Sequence, residues 1–499
     1  MVVTSIGLAM GQAAATERVV TGGTVRGAEL ADGSTIFRSI PYAKPPIGEL
    51  RWRAPQPVEL WQGVRDATQA GAPCLQRSYG WNAADAAAGS EDCLYLAVHS
   101  PPHAAGERLP VMVFIHGGAN RAGSGTGFAE SSLIKHRVVL VTMQYRLGIF
   151  GFLSTKALSA EAPEGASGNY ALMDQIAALQ WVRDNIVRFG GDPANVTIFG
   201  HSAGGQDVGL LMLSPLARGL FHKAIMQSGT PGFGVPPRTL AENEKIGSDL
   251  LRHLGLPEGK EGLRGLRSIA GEQLLGATDA LLPPSTVDPS FIWIQAIVDG
   301  HVLPEAPATL IAEGRQAPVP IIIGNSVREF TVEGARASVR QWIAAQFGSG
   351  QTQALALYGF DGDKPPADDS LSGSIVDRIS SDVLFRCPAN FVANHQLELT
   401  PNVWRYELEV AKPGTAQPAT HGAELAFIFE EPATGLHDEQ WPPLQAYWTN
   451  FARLGTPNSA DLPAWPKLSD GNRYMAFTSA GPRVGKDLHA AVCTLLRNP

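Results

Sequence analysis

The sequence has little charge and no long apolar segment, and both features limit what the protein can be. Only 17% of its 499 residues are charged, and the net charge is −8. Typical soluble domains carry roughly 25% charged residues. No run of five or more Lys and Arg residues offers a footprint for phosphates, so we expect no nucleic-acid partner. The longest apolar runs, 111–115 and 138–143, are strand-sized. A membrane span needs roughly 18 apolar residues, so no integral membrane segment is expected.

Cysteine is scarce, and the four residues of this type leave two readings open. They suit either two disulfides in an exported protein or four buried thiols in a cytosolic one. Spacing alone does not decide between these readings for Cys74, Cys93, Cys387 and Cys493.

The N-terminal segment lacks the positive charge that begins a secretory signal. Residues 2–10 are mildly apolar and Ala13 to Ala15 offer a small-residue cleavage site, yet no positive charge precedes Arg18. Residues 1–15 are therefore either a signal remnant or a disordered terminus. Because 44% of residues are hydrophobic and no linker or repeat is visible, residues 16–499 are predicted to form one domain.

Short apolar runs alternate with helical patterns along the chain. A helix is predicted from apolar residues at steps of three and four between 169 and 189, ending at Gly190, and another from 203 to about 213. Residues 235–315 read as mostly helical. Strands are predicted at 110–115, 138–143, 196–199, 223–226 and 318–323. Fully apolar strands separated by helices indicate an α/β fold, with a central, mostly parallel sheet, helices on both faces and helical insertions.

A candidate nucleophile lies between a predicted strand and a predicted helix. The segment from Gly200 to Gly204 fits the pattern G-x-S-x-G, with Ser202 at its centre. A sharp turn from strand to helix strains the central residue, and glycine two positions away on either side avoids a clash. This turn raises the Ser202 hydroxyl above the start of a helix, where free N–H groups favour negative charge.

Such a nucleophile needs donors for an oxyanion and a base for its own proton. Gly118 and Ala119 follow the strand at 110–115, and Ala203 follows the nucleophile, so these three residues can supply backbone N–H donors. In this fold the acid and then the histidine come after the serine. Glu329 follows a strand. With His489 set aside as too close to the terminus, five histidines lie well downstream of the strand at 223–226, and His421, in a loop, is favoured among His253, His301, His395, His421 and His437.

Several long motifs together resemble the type-B carboxylesterase/cholinesterase family over nearly the whole chain. The residues that carry the resemblance are the N-terminal segment 37–52, the segment Ser90 to Leu96, the block 168–200 that leads into the nucleophile turn, and the segment 445–451. Membership would imply an α/β-hydrolase fold and hydrolysis of carboxylic esters by a serine.

The resemblance also implies roles for individual residues. The segments around Glu329 and His421 are similar to those that carry the triad acid and the triad histidine in this family. It further implies two disulfides, Cys74–Cys93 and Cys387–Cys493, which favour a secreted or periplasmic enzyme over the alternative of a cytoplasmic one.

Three residues near the nucleophile depart from the family pattern. His201 stands where the family usually has glutamate, and Asn120 with Arg121 stands where aromatic residues are usual. We expect these three residues to contact substrate. The added positive charge and the missing glutamate predict an ester with an anionic, for example polycarboxylic, acyl group.

The expected reaction is two-step acyl transfer to a small-molecule ester, with no metal and no cofactor. A non-catalytic interaction module is the alternative from another class, because this family includes adhesion proteins with a lost triad. A hydrolase of amides, lactones or lipids is the nearer alternative.

Overall fold

One sheet of thirteen strands runs through the part of the chain that the structure, a computed structural model, describes. The described residues are 15–231, 237–278, 295–330, 339–414, 418–432 and 441–496. The strands are β1 (Ala15–Val20), β2 (Gly23–Glu29), β3 (Thr35–Pro41), β4 (Val64–Asp66), β5 (Tyr95–Ser100), β6 (Leu109–Ile115), β7 (Val139–Met143), β8 (Gly191–His201), β9 (Lys223–Gln227), β10 (Ile321–Ser326), β11 (Val403–Leu408), β12 (Arg473–Thr478) and β13 (Gly481–Lys486).

The sheet is parallel at its centre and antiparallel at its ends. Its order is β1-β2-β3-β5-β7-β6-β8-β9-β10-β11-β12-β13, and β4 pairs with β2. Neighbouring strands from β7 to β12 in this order pair in parallel. β1, β2, β3, β5 and β7 pair antiparallel, as do β12 and β13. The predicted α/β fold with a mostly parallel central sheet is confirmed.

The central strands are apolar throughout because they are covered on both faces. All seven residues of β6 are buried. Val111, Val113 and Ile115 belong to one hydrophobic cluster, while Met112 and Phe114 belong to another. Successive side chains of a strand point to opposite faces, so β6 contributes to two cores.

Helices supply the other half of each core. The α-helices are α1 (Ala83–Ala87), α2 (Gly148–Phe152), α3 (Lys156–Glu161), α4 (Tyr170–Asn185), α5 (Ala203–Leu213), α6 (Leu240–His253), α7 (Lys260–Ser268), α8 (Gly271–Thr278), α9 (Pro307–Ala312), α10 (Val339–Phe347), α11 (Gln351–Leu357), α12 (Ile375–Ser381), α13 (Cys387–Leu397), α14 (Ala423–Phe429), α15 (Leu444–Leu454) and α16 (Ala490–Cys493). Shorter helical turns are 3-10 at Gly48–Leu50, Thr126–Phe128, Ser132–His136, Ile186–Phe189, Pro215–Ala217 and Gly348–Gly350, and π at Asp382–Arg386.

The predicted helices around the nucleophile agree with the structure. α5 has the predicted bounds, and α4 continues as a 3-10 turn that Gly190 ends with a φ of 79°. Such a left-handed residue is a common helix terminator and suits glycine. The described parts of 235–315 contain α6, α7, α8 and α9, which agrees with the mostly helical prediction; residues 235–236 and 279–294 lie outside the described residues.

The prediction of a strand at 318–323 was wrong at its start. β10 begins only at Ile321, because Pro318 and Pro320 have no N–H to donate to a neighbouring strand. At its other end the strand continues to Ser326 and brings Glu329 close to the carboxyl edge of the sheet.

Both disulfides that the resemblance implied are present. Cys74 is bonded to Cys93 and Cys387 to Cys493. The first closes the loop of residues 75–92, and the second ties α13 to α16. None of the helices in the described ranges is long and apolar enough to cross a membrane. Residues 1–14 lie outside the described residues, so the signal remnant stays a prediction, as does the single domain.

Candidate active site

Ser202 lies on the tight turn between β8 and α5. Its φ is 58° and its ψ is −125°, a combination that L-residues rarely adopt. A Cβ atom on Gly200 would collide with the carbonyl oxygen of Gly204, and one on Gly204 would collide with that of Ile115. The turn therefore requires glycine on both sides of the serine, as the motif predicts.

The loop after β6 lies against this turn and has an unusual backbone. A Cβ atom on Gly117 would stand 3.0 Å from the Cβ of Ser202. The next three residues, Gly118, Ala119 and Asn120, have φ values of 113°, 56° and 55°. A non-glycine residue in the left-handed region costs on the order of 1–3 kcal/mol, and such strain concentrates at functional sites.

Three backbone N–H groups near Ser202 are available for an oxyanion. The N–H groups of Gly118 and Ala119 make no hydrogen bond to a described residue. Ala203 is the first residue of α5, so its N–H has no acceptor within the helix. Gly118, Ala119 and Ala203 are the residues for which the sequence predicts oxyanion donors, and this role stays a prediction.

His421 and Glu329 form a buried pair beside the turn at Ser202. His421 Nδ1 lies 2.5 Å from Glu329 Oε2, and Glu329 Oε1 accepts the N–H of Ser326 at 2.8 Å. The other ring nitrogen, Nε2, is buried and has no hydrogen-bond partner among the described residues. With Nδ1 donating to the carboxylate, Nε2 is the nitrogen left to accept a proton.

Burial shifts both members of the pair towards their neutral forms. It lowers the pKa of the His421 imidazole. Burial raises the pKa of Glu329, and hydrogen bonds from Ser228 and Ser326 partly oppose this upward shift. A charge in a buried site loses hydration, and this loss is the common cause of both shifts. A neutral imidazole is the form that can act as a base.

Aromatic rings hold the imidazole of His421 on two sides. The ring of Phe330 is 4.0 Å away and that of Phe385 is 5.3 Å away, centroid to centroid. The ring of His201, the neighbour of Ser202, is 4.5 Å away. His421 is therefore held next to the nucleophile turn, in an orientation fixed by packing and by Glu329.

Ser202 and His421 open into a cavity of about 830 Å³. This volume is within the range of about 300–1,000 Å³ that is usual for small-molecule sites. Gly118 and Ala119 line the same cavity. Its wall also includes aromatic rings, Tyr79, Trp81, Phe128 and Phe330, and two charged side chains, Asp85 and Arg121.

The three predicted substrate contacts have different positions. Arg121 lines the cavity, and its guanidinium carbon lies 4.8 Å from the centre of the Tyr79 ring. His201 also lines the cavity, with a buried Nε2 that has no described partner. Asn120 is different, because its fully buried side chain points away from the cavity and donates to Asp207. The positive φ of Asn120 turns it inward, so the geometry does not support a substrate contact there.

Sequence reasoning missed several residues of the site. Phe330 and Phe385 pack on His421, and the exposed Tyr79 and Trp81 form the rim on the loop closed by Cys74–Cys93. Because Phe330 directly follows the predicted acid Glu329, its place in the sequence could have indicated that it lies at the site. Trp81 was detectable only as an aromatic residue between two paired cysteines.

Within the described ranges, no group of three or more His, Cys, Asp or Glu side chains could hold a metal ion. The expectation of cofactor-free chemistry stays a prediction.

The sheet order and the strand–turn–helix at Ser202 define an enzyme of the α/β-hydrolase class. Residues 14–496 match the family model described as "Carboxylesterase family". The chain belongs to this family.

Named relatives agree with this membership. The chain is 36% identical to carboxylesterase 4A of Bos taurus, covering 91% of this chain and 89% of that protein. It is 34% identical to fumonisin B1 esterase of Sphingopyxis macrogoltabida, covering 92% and 85%. Among solved structures, a PNB esterase superposes with a TM-score of 0.80 at 33% identity, covering 96% of this chain and 99% of that one. This protein is therefore a carboxylic ester hydrolase.

Proposed function

We propose that the protein is a serine carboxylesterase that forms an acyl-enzyme on Ser202. One observation carries the proposal: around a single cavity lie a serine on a strained glycine-flanked turn and a buried imidazole whose Nδ1 is 2.5 Å from a carboxylate. A serine hydroxyl is a weak nucleophile unless a base takes its proton and a third group orients that base.

In the first half of the reaction, His421 Nε2 takes the proton of Ser202 as Oγ bonds to the ester carbonyl carbon. The carbonyl oxygen becomes an oxyanion and accepts hydrogen bonds from the N–H groups of Gly118, Ala119 and Ala203. Loss of one such donor typically costs about 2.7–4 kcal/mol of transition-state stabilisation. The bond to the alcohol oxygen then breaks, and His421 gives its proton to that oxygen.

In the second half, water replaces the alcohol. His421 takes a proton from the water as its oxygen bonds to the acyl carbon, and the oxyanion forms again at the same donors. The bond between the acyl carbon and Ser202 Oγ breaks, Oγ recovers the proton, and the carboxylic acid leaves. Glu329 keeps the proton of His421 on Nδ1 and stabilises the imidazolium in both halves.

Replacing the nucleophile tests this mechanism. Ser202→Ala is expected to lower kcat for a small aryl ester by about 10⁴-fold or more, with an unchanged circular dichroism spectrum. Ser214→Ala is the matched control, because Ser214 is a buried serine at the opposite end of α5 and its hydroxyl has no described partner. We expect its activity to equal that of wild type. Turnover retained by folded Ser202→Ala would refute the assignment.

We further propose that the preferred ester carries a negative charge on its acyl part. Arg121 lines the cavity and forms no ion pair with a described residue. Its planar guanidinium lies over Tyr79, an arrangement that leaves N–H groups at its edge for a carboxylate. Asp85 is the opposing charge in the same wall, so the two side chains offer a matched test.

The test compares 4-nitrophenyl pentanoate with mono-4-nitrophenyl glutarate, which differ mainly in a terminal carboxylate. We expect wild type to have the higher kcat/KM for the glutarate at low ionic strength. Arg121→Ala should remove this preference and Asp85→Asn should increase it. Equal kcat/KM values for the two esters in wild type would contradict the proposal, while leaving the serine mechanism intact.

We also propose that the enzyme works in an oxidising compartment, secreted or periplasmic. The two disulfides support this location. Protein taken from its source without reductant and then unfolded in denaturant should resist thiol alkylation at all four cysteines. Alkylation of the unfolded, unreduced protein at any of them would contradict the proposal.

A further inference from the structure

A buried hydrogen bond joins the loop that bears two oxyanion donors to the helix that bears the third. We propose that Asn120 and Asp207 are positioning residues, which hold the N–H groups of Gly118 and Ala119 in register with that of Ala203. The inference rests on the proposed function, because it concerns the donors of that reaction.

The bond is short and wholly interior. Asn120 Nδ2 donates to Asp207 Oδ1 at 2.9 Å, and Gln175 Nε2 donates to Asp207 Oδ2 at 2.7 Å. The side chains of all three residues are fully buried. Asp207 belongs to α5, a little over one turn after the nucleophile, so it moves with Ser202 and Ala203. Asn120 directly follows Ala119.

The loop needs this hydrogen bond because the N–H groups of its own residues Gly118 and Ala119 do not hold it in place. The N–H groups of Gly118 and Ala119 make no hydrogen bond to a described residue. Three consecutive positive φ values make the loop costly to hold in place. Backbone and hydroxyl groups of the neighbouring segment also contact the loop and fix the distance between them. The N–H of Gly148, for example, donates to Asn120 O at 2.7 Å. The Asn120 side chain links the loop to α5 itself.

The hydrogen bond between Asn120 and Asp207 costs free energy to bury, because the Asp207 carboxyl group loses its hydration. This cost favours a role for the bond beyond stability. Asp207 forms no ion pair with a described residue, and its oxygens accept from two neutral amides. Burial raises the pKa of Asp207 to about 7, and the hydrogen bonds from Asn120 and Gln175 only partly oppose this shift. An apolar contact between loop and helix would avoid the cost of desolvating a carboxyl group, but would not fix direction as a hydrogen bond does.

The geometry permits a test in which the polarity of the pair is reversed. Asn120→Asp alone sets two carboxyl groups against each other at about 2.9 Å. At lower pH they can share one proton and keep a hydrogen bond, so the link is lost only at high pH, where both carboxylates are charged. Adding Asp207→Asn restores it in the opposite sense. The new amide then donates to the new carboxylate and still accepts from Gln175. Tyr145 Oη donates mainly to His116 O at 2.7 Å and stays a weak second donor to position 120, where it lies 3.4 Å from Asn120 Oδ1.

We expect Asn120→Asp to lower kcat for a small neutral aryl ester at pH 9 by about tenfold or more with little change in KM, because oxyanion donors act in the transition state. The inhibition constant of a trifluoromethyl ketone, whose tetrahedral adduct carries the oxyanion, should rise in parallel. The Asn120→Asp/Asp207→Asn double variant should recover both values to within about threefold of wild type. Asn120→Gly, which keeps the positive φ easily accessible, should lose activity as well because the side chain is absent.

A matched control separates positioning from general stability. Asn243 is buried in α6 and donates to Phe152 O at 2.8 Å and Ser154 Oγ at 2.7 Å, and it does not line the cavity. Asn243→Ala should lower the melting temperature and leave kcat and the inhibition constant unchanged. If Asn120→Asp does not fold, Asn120→Gly and the double variant decide.

Two results would overturn the inference: wild-type kcat at pH 9 in folded Asn120→Asp or in folded Asn120→Gly, or no recovery at pH 9 in a folded double variant. Labelling of wild type by an organophosphonate tests the proposed function separately. If wild type is labelled at Ser202 while these variants keep full activity, the positioning role alone is wrong.

Discussion

The variant Glu329→Gln tests which ring nitrogen of His421 carries the proton, and the hydrogen bonds around Glu329 determine the expected result. Glu329 Oε1 accepts the backbone N–H of Ser326 at 2.8 Å, while Oε2 faces His421 Nδ1 at 2.5 Å. Because a backbone N–H can only donate, the oxygen of the new amide must stay towards Ser326. Its NH₂ group then faces His421 Nδ1.

That orientation forces the wrong tautomer. Nδ1 must accept from the amide, so the proton of the neutral imidazole moves to Nε2, which then cannot take a proton from Ser202. An equivalent inversion in a serine protease triad lowers kcat by about 10⁴-fold, which corresponds to about 5.4 kcal/mol at 1.36 kcal/mol per factor of ten. We expect a loss of this order in Glu329→Gln.

Glu329→Ala is the matched comparison, because it removes the carboxylate without imposing a donor on Nδ1. We expect Glu329→Gln to be at least as impaired as Glu329→Ala, although glutamine is nearer in shape to glutamate. The assay is kcat/KM for a small aryl ester from pH 6 to 9, with folding checked by circular dichroism. A Glu329→Gln variant within about tenfold of wild type would refute the tautomer reasoning.

Two further predictions concern the disulfides and His201. Loss of the 387–493 disulfide should reduce the free energy of unfolding by about 5 kcal/mol, against about 3 kcal/mol for the 74–93 disulfide, because the first closes the longer loop. Chemical denaturation of the two Cys→Ser double variants measures both losses. The reverse ranking would contradict the argument from loop length. The rings of His201 and His421 are 4.5 Å apart, so His201→Glu places a carboxylate beside the His421 ring. The carboxylate stabilises the imidazolium of His421 and should move the acid limb of the kcat/KM profile to higher pH by about one unit. An acid limb that stays in place or moves to lower pH would contradict this prediction.

The geometry of the turn at Ser202 and of the central strands was readable from the sequence because it depends on local patterns. The turn at Ser202 needs glycine at fixed positions, and the fully apolar strand β6 needs cover on both faces. His421 was one of five candidate histidines until the resemblance favoured it. The sequence separation from Ser202 gives no distance, so only the fold could bring the two residues to one cavity.

The direction of individual side chains was not readable. Asn120 and Arg121 are adjacent, yet one is buried against Asp207 and the other lines the cavity. The difference comes from the positive φ values of Ala119 and Asn120, which no pattern of residue types specified. The strands β1 to β5 were also missed, because half-exposed strands such as β2 lack a continuous apolar run.

The account depends most on a covalent bond between the acyl group and the hydroxyl of Ser202. Rapid quenching of wild type with an activated aryl ester, followed by digestion and mass spectrometry, measures this bond directly. We expect the acyl mass on the peptide that contains Ser202 during turnover, and no acylated peptide from Ser202→Ala. Acylation of another residue, or turnover without an adduct when alcohol release shows a burst, would contradict the account.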